Sequence, residues 1–480
     1  MESSDTEETH KAIEKIAEIV SRKVSPSPAE AAAEKKFAAT LSRKLAAKLG
    51  REAEINFVGS AARDTGLAGD RDIDLFVAFP VSRDREYIIR KTISATKSAV
   101  KAKWEMHYAE HPYLRANVSG YEVEVIPCFK IKPQQKIKSA VDRSPLHMKY
   151  LQEKLSPRQR RDVRVLKKLL KANGIYGAEI EVEGFSGLVC EQMILNYRSL
   201  AGLVEAAKDW KPPVIIDLEG AYQGEAGRQA LTKKFSDSPL ILVDAIDYNR
   251  NAAAAVNATN LSKFITLCRA FWRRPSLEFF FHEPKKPDAT RIAKAITARG
   301  HSLFLVQTSK PTGIVADVLT PQLRKSAAAI ARQLERVDFN IYDFTSFSSS
   351  KNCFMLFELE TSCLAPLKRV RGPPVTDEKA CENFLASHKP SEWARGPYVE
   401  GGSLAAEKKR ETTNARDALK KIVSQPKANG IASHFLKPVS KARIFEGDEI
   451  TRSKAFEEEA LPFLEKFVFR RDWWLSRQPA

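Results

Sequence analysis

The nine residues DIDLFVAFP, positions 72–80, constrain this chain more than any other stretch. Apart from two aspartates the run is apolar and reads as a buried strand. Side chains at i and i+2 of a strand share one face, about 6.6–7 Å apart along the chain. Asp72 and Asp74 therefore project together, while Ile73, Leu75 and Val77 point the other way. Two desolvated carboxylates held that close repel, and each is costly to bury unless something pairs with it. A divalent cation removes both penalties at once. A third carboxylate from a neighbouring strand would complete the set, and YEVEVIPCF (121–129), a strand closed by proline, offers Glu124 with Glu122 behind it in the same alternation. Asp72, Asp74 and Glu124 then form the donors of a two-metal site, with ions about 3.5–4 Å apart, of the kind that drives phosphoryl and nucleotidyl displacement.

The second half of the signal lies just upstream. AEINFV is a short strand, Gly59-Ser60 breaks it, and AARDTG makes a short turn of helix. Glycine lets the backbone approach a ligand closely, and the Ser60 hydroxyl and Arg63 are suited to phosphate oxygens. A DxD taken alone is usually a solvated strand end. Here a strand precedes Gly-Ser, Arg63 follows Ser60 by three residues, and a carboxylate strand comes later, which together select the metal reading.

At 480 residues the chain has room for about three domains of roughly 100–200 residues. We expect a polar N-terminal extension over 1–26, a catalytic domain over 27–150, a mostly helical central domain over 151–274, and an α+β body with a tail over 275–480. Capping boxes at Ser27/Glu30 and Ser156/Gln159, each followed by proline at the first helical position, start the first helices of the second and third of these segments. After Pro275 the order PSLEFFFH, DATRIAKAITARG, HSLFLVQT, TPQLRKSAAAIARQLERV, NIYDFTSF, KNCFMLFELE predicts β-α-β-α-β-β. It invites comparison with RNA-binding sheets, but KNCFMLFEL lacks the Gly-aromatic spacing of such sheets, so its aromatics are assigned to the core. AAEKKRETTNARDALKKIV is expected to be a charged helix.

Lys and Arg number 78 against 60 Asp and Glu, a formal charge of +18. That balance favours a polyanionic partner, nucleic acid first. No run of 18 apolar residues occurs and the start, MESSDTEETHK, is polar, so neither a membrane span nor a secretory signal is expected. The six cysteines are scattered without metal-ligand spacing, as suits a reducing, cytoplasmic setting.

With these residues in view, the pattern GSxxR…DxDLF resembles the nucleotidyltransferase superfamily of polymerase-β type. YAEHPYLRA (108–116), VEVIPCFKI (123–131), KSAVDRSPLHMKYL (138–151), LLKANGIYGAE (169–179), GFSGLVCE (184–191) and VDAIDYNRNAAAAV (243–256) resemble, more narrowly, the archaeal-type (class I) CCA-adding enzymes. The resemblance implies a polymerase-β-like palm, a helical central domain and an RRM-like or ferredoxin-like α+β C-terminal domain. It implies addition and repair of the tRNA 3′-terminal CCA from CTP and ATP, with two Mg²⁺ ions, no template and release of pyrophosphate. The tRNA acceptor arm and 3′ end are the implied partner, and a homodimer is one assembly compatible with it. Asp72 and Asp74 match the first two metal ligands; Glu124 stands where the family pattern has Asp. Ser60, Arg63, Ser144, His147, Lys167, Tyr176 and Arg250 match nucleotide-binding positions, and His111 matches without a role beyond local structure or ribose contact. Read without the resemblance, His147 is a helix-cap histidine, Lys167 belongs to a solvated basic face with Arg160, Arg164 and Lys171, Tyr176 packs a turn and Arg250 caps the helix after it. A poly(A) or other terminal RNA nucleotidyltransferase shares the strand carboxylates and is the nearest alternative. A non-catalytic RNA-binding protein of the same fold is the other.

If the positive balance serves RNA phosphates, the association constant for tRNA should fall linearly with salt on a log–log plot, with a slope of several units. Filter binding between about 50 and 200 mM salt measures it, and a flat line would exclude phosphate neutralisation as the source of binding.

Overall fold

In a computed structural model, residues 2–108, 112–131, 137–282, 286–387, 393–452 and 460–475 are described. Helix α1 (Glu2–Val24) takes up most of the segment expected as a bare polar extension. Its Ile13, Ala17 and Val20 are fully buried, a stripe at 3.5-residue spacing in a segment that is otherwise rich in charged and polar residues. Helix α2 (Pro28–Leu49) starts at the predicted capping box: Glu30 N donates to Ser27 Oγ at 3.2 Å and Ser27 N to the Glu30 carboxylate at 2.8 Å. Then come β1 (Glu54–Val58), α3 (Gly59–Arg63), β2 (Asp72–Pro80), α4 (Arg85–Ala99), β3 (Glu105–Tyr108), β4 (Pro112–Val118) and β5 (Tyr121–Lys130).

The five strands form one sheet in the order β1-β2-β5-β4-β3, with β2 parallel to β5 and the other pairs antiparallel. One face of β2, Ile73 to Phe79, packs with Val123 and Val125 against Leu41 and Leu45 of α2 and Ile88 of α4. On the other face Phe76 and Ala78 pack with Ile126, Cys128 and Met148, leaving Asp72 and Asp74 at the uncovered end. Pro127 does not close β5 as expected. It lies inside the strand, opposite Val77, because pairing with β4 stops at Val125 and the missing N–H faces an unpaired edge.

Helices α5 (Arg143–Lys154), α6 (Pro157–Ala172), α7 (Gly187–Tyr197), α8 (Leu200–Ala207), α9 (Gly224–Lys234) and α10 (Ala258–Arg273) follow, interrupted by a parallel pair, β6 (Val214–Asp217) and β7 (Leu240–Val243). α1 packs against α6 and α8, and Arg161 of α6 binds Glu14 of α1 and Asp162. PSLEFFFH is not a strand. It forms the one-turn helix α11 (Glu278–Phe281), whose Phe279 and Phe280 pack on Phe271 of α10 at 5.1 and 5.5 Å between ring centroids. A short aromatic run fits a buried helical turn as well as a strand.

The chain divides into two compact units between residues 283 and 284. In the second, α12 (Ala289–Ala298), β8 (Ser302–Ser309), α13 (Ala316–Arg336), β9 (Ile341–Ser348) and β10 (Asn352–Leu359) lead into β11 (Leu367–Pro374), α14 (Glu378–Ala386), β12 (Trp393–Glu400), β13 (Ser403–Lys409), α15 (Ala415–Ser424), two short helices and β14 (Arg443–Glu446). The sheet β14-β8-β10-β9 is covered on both faces. Phe354 and Phe357 of β10 are fully buried, as core aromatics should be. The expected helix from Ala405 is half strand: β13 is the middle strand of β11-β13-β12, and α15 begins only after Asn414, whose side chain accepts from Asp417 N. Pairing on both edges of β13 outweighs the helix propensity of AAEKK. All six cysteines are free, and among the described residues no helix is long and apolar enough to cross a membrane.

The link from β5 to α5 depends on Asp142, which is buried and accepts from Phe129 N at 2.8 Å and Ser139 N at 2.7 Å. Asp142→Ala strands two buried N–H donors and should cost at least about 2 kcal/mol, whereas Asp142→Asn, which keeps one acceptor oxygen, should cost less. Urea titration of both variants tests this, and equal losses would mean that backbone acceptors replace the carboxylate.

Candidate active site

The register of the parallel pair sets the geometry: Asp72 stands opposite Glu122 and Asp74 opposite Glu124. Burial, then the charges of Glu124 and Asp72, push the Asp74 carboxyl up to about 7. Asp72, at the exposed strand end, is also raised, by burial and by Asp70 and Glu122. Arg115 of β4 partly offsets this crowding. It lies opposite Glu124, donates to it through Nε at 2.7 Å and through Nη2, and approaches Glu122 at 3.4 Å. Among the described residues no three His, Cys, Asp or Glu side chains are gathered closely enough to hold a metal ion. The longer arm of Glu124 reaches Arg115 instead of closing on Asp72 and Asp74.

Gly59 opens α3 at φ +84°, and a Cβ there would lie 2.2 Å from Asp74 Oδ2. Only glycine lets the chain turn this close over the carboxylate. Asp74 is thus held between Gly59 and Glu124, a partly buried anion with a like charge at its side, and hard oxygen donors of this kind suit a divalent cation such as Mg²⁺. Ser60 follows on the same turn.

Arg63 already has an acidic partner. Its Nε donates to Glu191 of α7 at 2.8 Å, and Thr65 Oγ1 donates to the same oxygen at 2.5 Å. Burial alone would raise the Glu191 carboxyl, but Arg63 and Lys167 outweigh it and hold it below the usual range. Lys167 is not on a solvated face. It is 2% exposed, its Nζ donates to Thr65 O at 2.9 Å, and burial lowers its pKa. A Cβ on Gly187 would meet Tyr176 Oη at 3.3 Å and Lys167 Nζ at 3.5 Å, so these two polar tips converge at the start of α7.

A second cluster joins His147 and Arg250. Both bind Asp244, which follows β7: His147 Nε2 lies 2.6 Å from Oδ1 and Arg250 Nη1 donates to Oδ2 at 2.5 Å. Arg143 binds Asp247 at 2.7 Å beside them, and Ser144, half-buried, is next in sequence on α5. Burial would raise Asp244, but His147 and Arg250 hold it well below the ordinary carboxylate range. The structure therefore places Asp74 and Glu124 in register on adjacent strands with Asp72 on the same face, although the Glu124 side chain is held by Arg115, and it brings Arg63, Lys167 and Tyr176 around Glu191 and His147 with Arg250; His111 lies outside the described residues. Thr65, Arg115, Glu191 and Asp244 were missed. Glu191 in GLVCEQMIL and Asp244 after LILV carry the signal that marked Asp72, a charge within or ending an apolar run.

Three families match: "Nucleotidyltransferase domain" over residues 38–147, "tRNA nucleotidyltransferase, second domain" over 161–281, and "CCA-adding enzyme, C-terminal domain" over 299–440. Proteins named CCA-adding enzyme match along most of their length. That of Methanoregula boonei is 35% identical over 92% of this chain and 93% of its own, and that of Archaeoglobus fulgidus 37% identical over 77% and 81%. That of Pyrobaculum neutrophilum is 37% identical over 85% and 93%. A solved structure of the Cid1 poly(U) polymerase superposes with a TM-score of 0.46 at 14% identity, over 57% of this chain and 100% of that one.

Gly59→Ala must move either the backbone turn or the Asp74 carboxylate. Displacing a reacting group by about 1 Å costs on the order of 10²-fold in rate, so nucleotide incorporation should drop by that much while tRNA binding persists. Wild-type kcat in this variant would show that Asp74 does not need its place under the turn.

Proposed function

The chain belongs to the CCA-adding enzymes, and on that premise we propose that it builds and repairs the 3′-terminal CCA of tRNA from CTP and ATP, without a template and with release of pyrophosphate. The observation that carries the reading is the pair Asp72 and Asp74 on one strand face beneath the Gly59 turn, with Glu124 in register beside them. Asp72 and Asp74 would hold Mg²⁺, with Glu124 as the third carboxylate once it leaves Arg115. Bound there, the metal supplies Lewis-acid activation of the attacking 3′-hydroxyl and neutralises charge on the triphosphate and the leaving pyrophosphate.

The protein's own residues position and compensate charge, and no covalent intermediate is required of them. Ser60, on the turn that crowds Asp74, is placed for a phosphate oxygen. Arg63 and Lys167 supply positive charge, and Glu191 holds Arg63 by its Nε, leaving the remaining guanidinium nitrogens for the nucleotide. Tyr176, Ser144, His147 and Arg250 complete the proposed nucleotide-binding set. Burial of Lys167 and Glu191 makes the charges around the site strong and already oriented, since no water reorganises around them. A partner that must be any tRNA is held by backbone charge and shape more than by base edges, in keeping with the excess of 18 positive charges.

Incubation of the protein with tRNA lacking CCA, Mg²⁺ and each labelled nucleotide tests the reading. Two C additions and then one A are expected; a long A tail would indicate the terminal polymerase instead, and no incorporation a binding protein. Asp72→Asn or Asp74→Asn should abolish both CMP and AMP addition, with at least about 10³-fold loss in rate, and leave tRNA affinity nearly intact. Glu124→Ala should be similarly inactive while Glu124→Asp keeps substantial activity. If Glu124→Ala is near wild type and Glu122→Ala is dead, the third ligand is Glu122.

A further inference from the structure

Asp244 ends the apolar strand β7, and its side chain is 0% exposed. It receives four hydrogen bonds or ion-pair contacts: His147 and Arg250 as given above, and the backbone N–H groups of Ile246 at 2.9 Å and Asp247 at 3.3 Å, both on Oδ1. The two side-chain partners come from different parts of the first unit. His147 sits on α5, directly after the catalytic sheet, and Arg250 on the loop that leaves β7. One buried carboxylate therefore couples two of the proposed nucleotide contacts to each other.

The carboxylate holds the turn at Ile246 and Asp247, and the loop has further ties around Arg250 that do not involve it. Asp244 N donates to Arg250 O at 3.1 Å and Ala252 N to Leu242 O at 2.8 Å. The buried Asn251 side chain accepts from Leu242 N and Ala253 N and donates to Leu240 O, each at 2.9 Å. Arg143 to Asp247, at 2.7 Å, is a second tie between α5 and the loop. The backbone at Arg250 is thus fixed by amide hydrogen bonds, and beyond its own turn the Asp244 carboxylate adds the direction of two side chains. Arg250 remains 35% exposed. A guanidinium pinned through Nη1 keeps its other donors in a single plane, the geometry that suits paired acceptors on a base edge or a phosphate.

We propose that Asp244 is a positioning residue for nucleotide binding, holding the Arg250 guanidinium and the His147 imidazole in one arrangement before CTP or ATP arrives. This rests on the reading of the chain as an enzyme that uses those nucleotides. The carboxylate makes no contact with the nucleotide; it removes the rotamer freedom that the long Arg250 side chain would otherwise lose on binding. A lone buried carboxylate would be costly, and the two cationic or donor side chains offset that cost, so the same ion pairs that stabilise Asp244 orient the ligand donors.

The test is a double-mutant cycle on the full chain with CCA-less tRNA and Mg²⁺. Wild-type incorporation of C, C and A is measured first, and its absence would overturn the functional reading, whatever Asp244 does. With that activity in hand, Asp244→Asn should raise KM for both CTP and ATP about tenfold or more, with a smaller change in kcat and a melting temperature close to wild type. In Arg250→Ala the further change Asp244→Asn should add less than it does in the wild type, because one of the two residues it positions is gone. Independent, multiplying penalties, or an unchanged KM in Asp244→Asn, would overturn the proposal. If Asp244→Asn does not fold, Asp244→Glu keeps the charge, displaces it by one methylene and enters the same cycle, where the KM increase should again be smaller in Arg250→Ala than in the wild type.

Discussion

Four carboxylates stand side by side where β2 runs parallel to β5, Asp72 beside Glu122 and Asp74 beside Glu124. Like charges at neighbouring positions of paired strands oppose the pairing that brings them there. The sheet holds because the rest of both strands is apolar and buried on two faces, from Leu75 to Phe79 and from Val125 to Phe129. Burial of that magnitude, at about 25 cal/mol per Å² of apolar surface, outweighs a repulsion that Arg115 also lessens. The strain is concentrated at one end of the strands, where no helix covers them. There the Gly59 turn closes over Asp74 without a Cβ to fend it off.

Around this end, charge is organised by buried anions that the catalytic sheet does not supply. Glu191 and Asp244 both come from the helical part of the first unit, and each gathers side chains from elements near the sheet: Arg63 and Thr65 in one case, His147 in the other. A buried ion pair contributes little net stability once desolvation is counted, yet losing one partner is costly. Such pairs therefore work as locks on orientation. They also explain why Lys167 can be almost fully buried at all, with Glu191 nearby and the Thr65 carbonyl accepting its hydrogen bond.

Where sequence reasoning failed, the competing interaction is identifiable in each case. The Phe279-Phe280 pair became a helical turn because Phe271 of the preceding helix offered a ready packing surface. AAEKK became a strand because two neighbouring strands paired with it. Taken without the family resemblance, Lys167 belongs to a solvated face, because helical periodicity tells which residues share a face and says nothing of what lies against that face. In all three the deciding partner is distant in sequence or belongs to another element, beyond the reach of local pattern.

The sequence by itself determined the strand face of Asp72 and Asp74, the Gly-Ser break before it, the two capping boxes and the excess of positive charge. Each follows from local periodicity, backbone freedom or composition, which need no knowledge of the rest of the chain. Only the tertiary structure decided that Glu124 would lie in register with Asp74 and already be engaged by Arg115, that Arg63 would face Glu191, and that His147 and Arg250 would meet at Asp244. Those pairings join residues up to 128 positions apart. A side chain's charge is written in the sequence, but which opposite charge it finds depends on which elements pack together, and that is settled by the summed burial of the whole core.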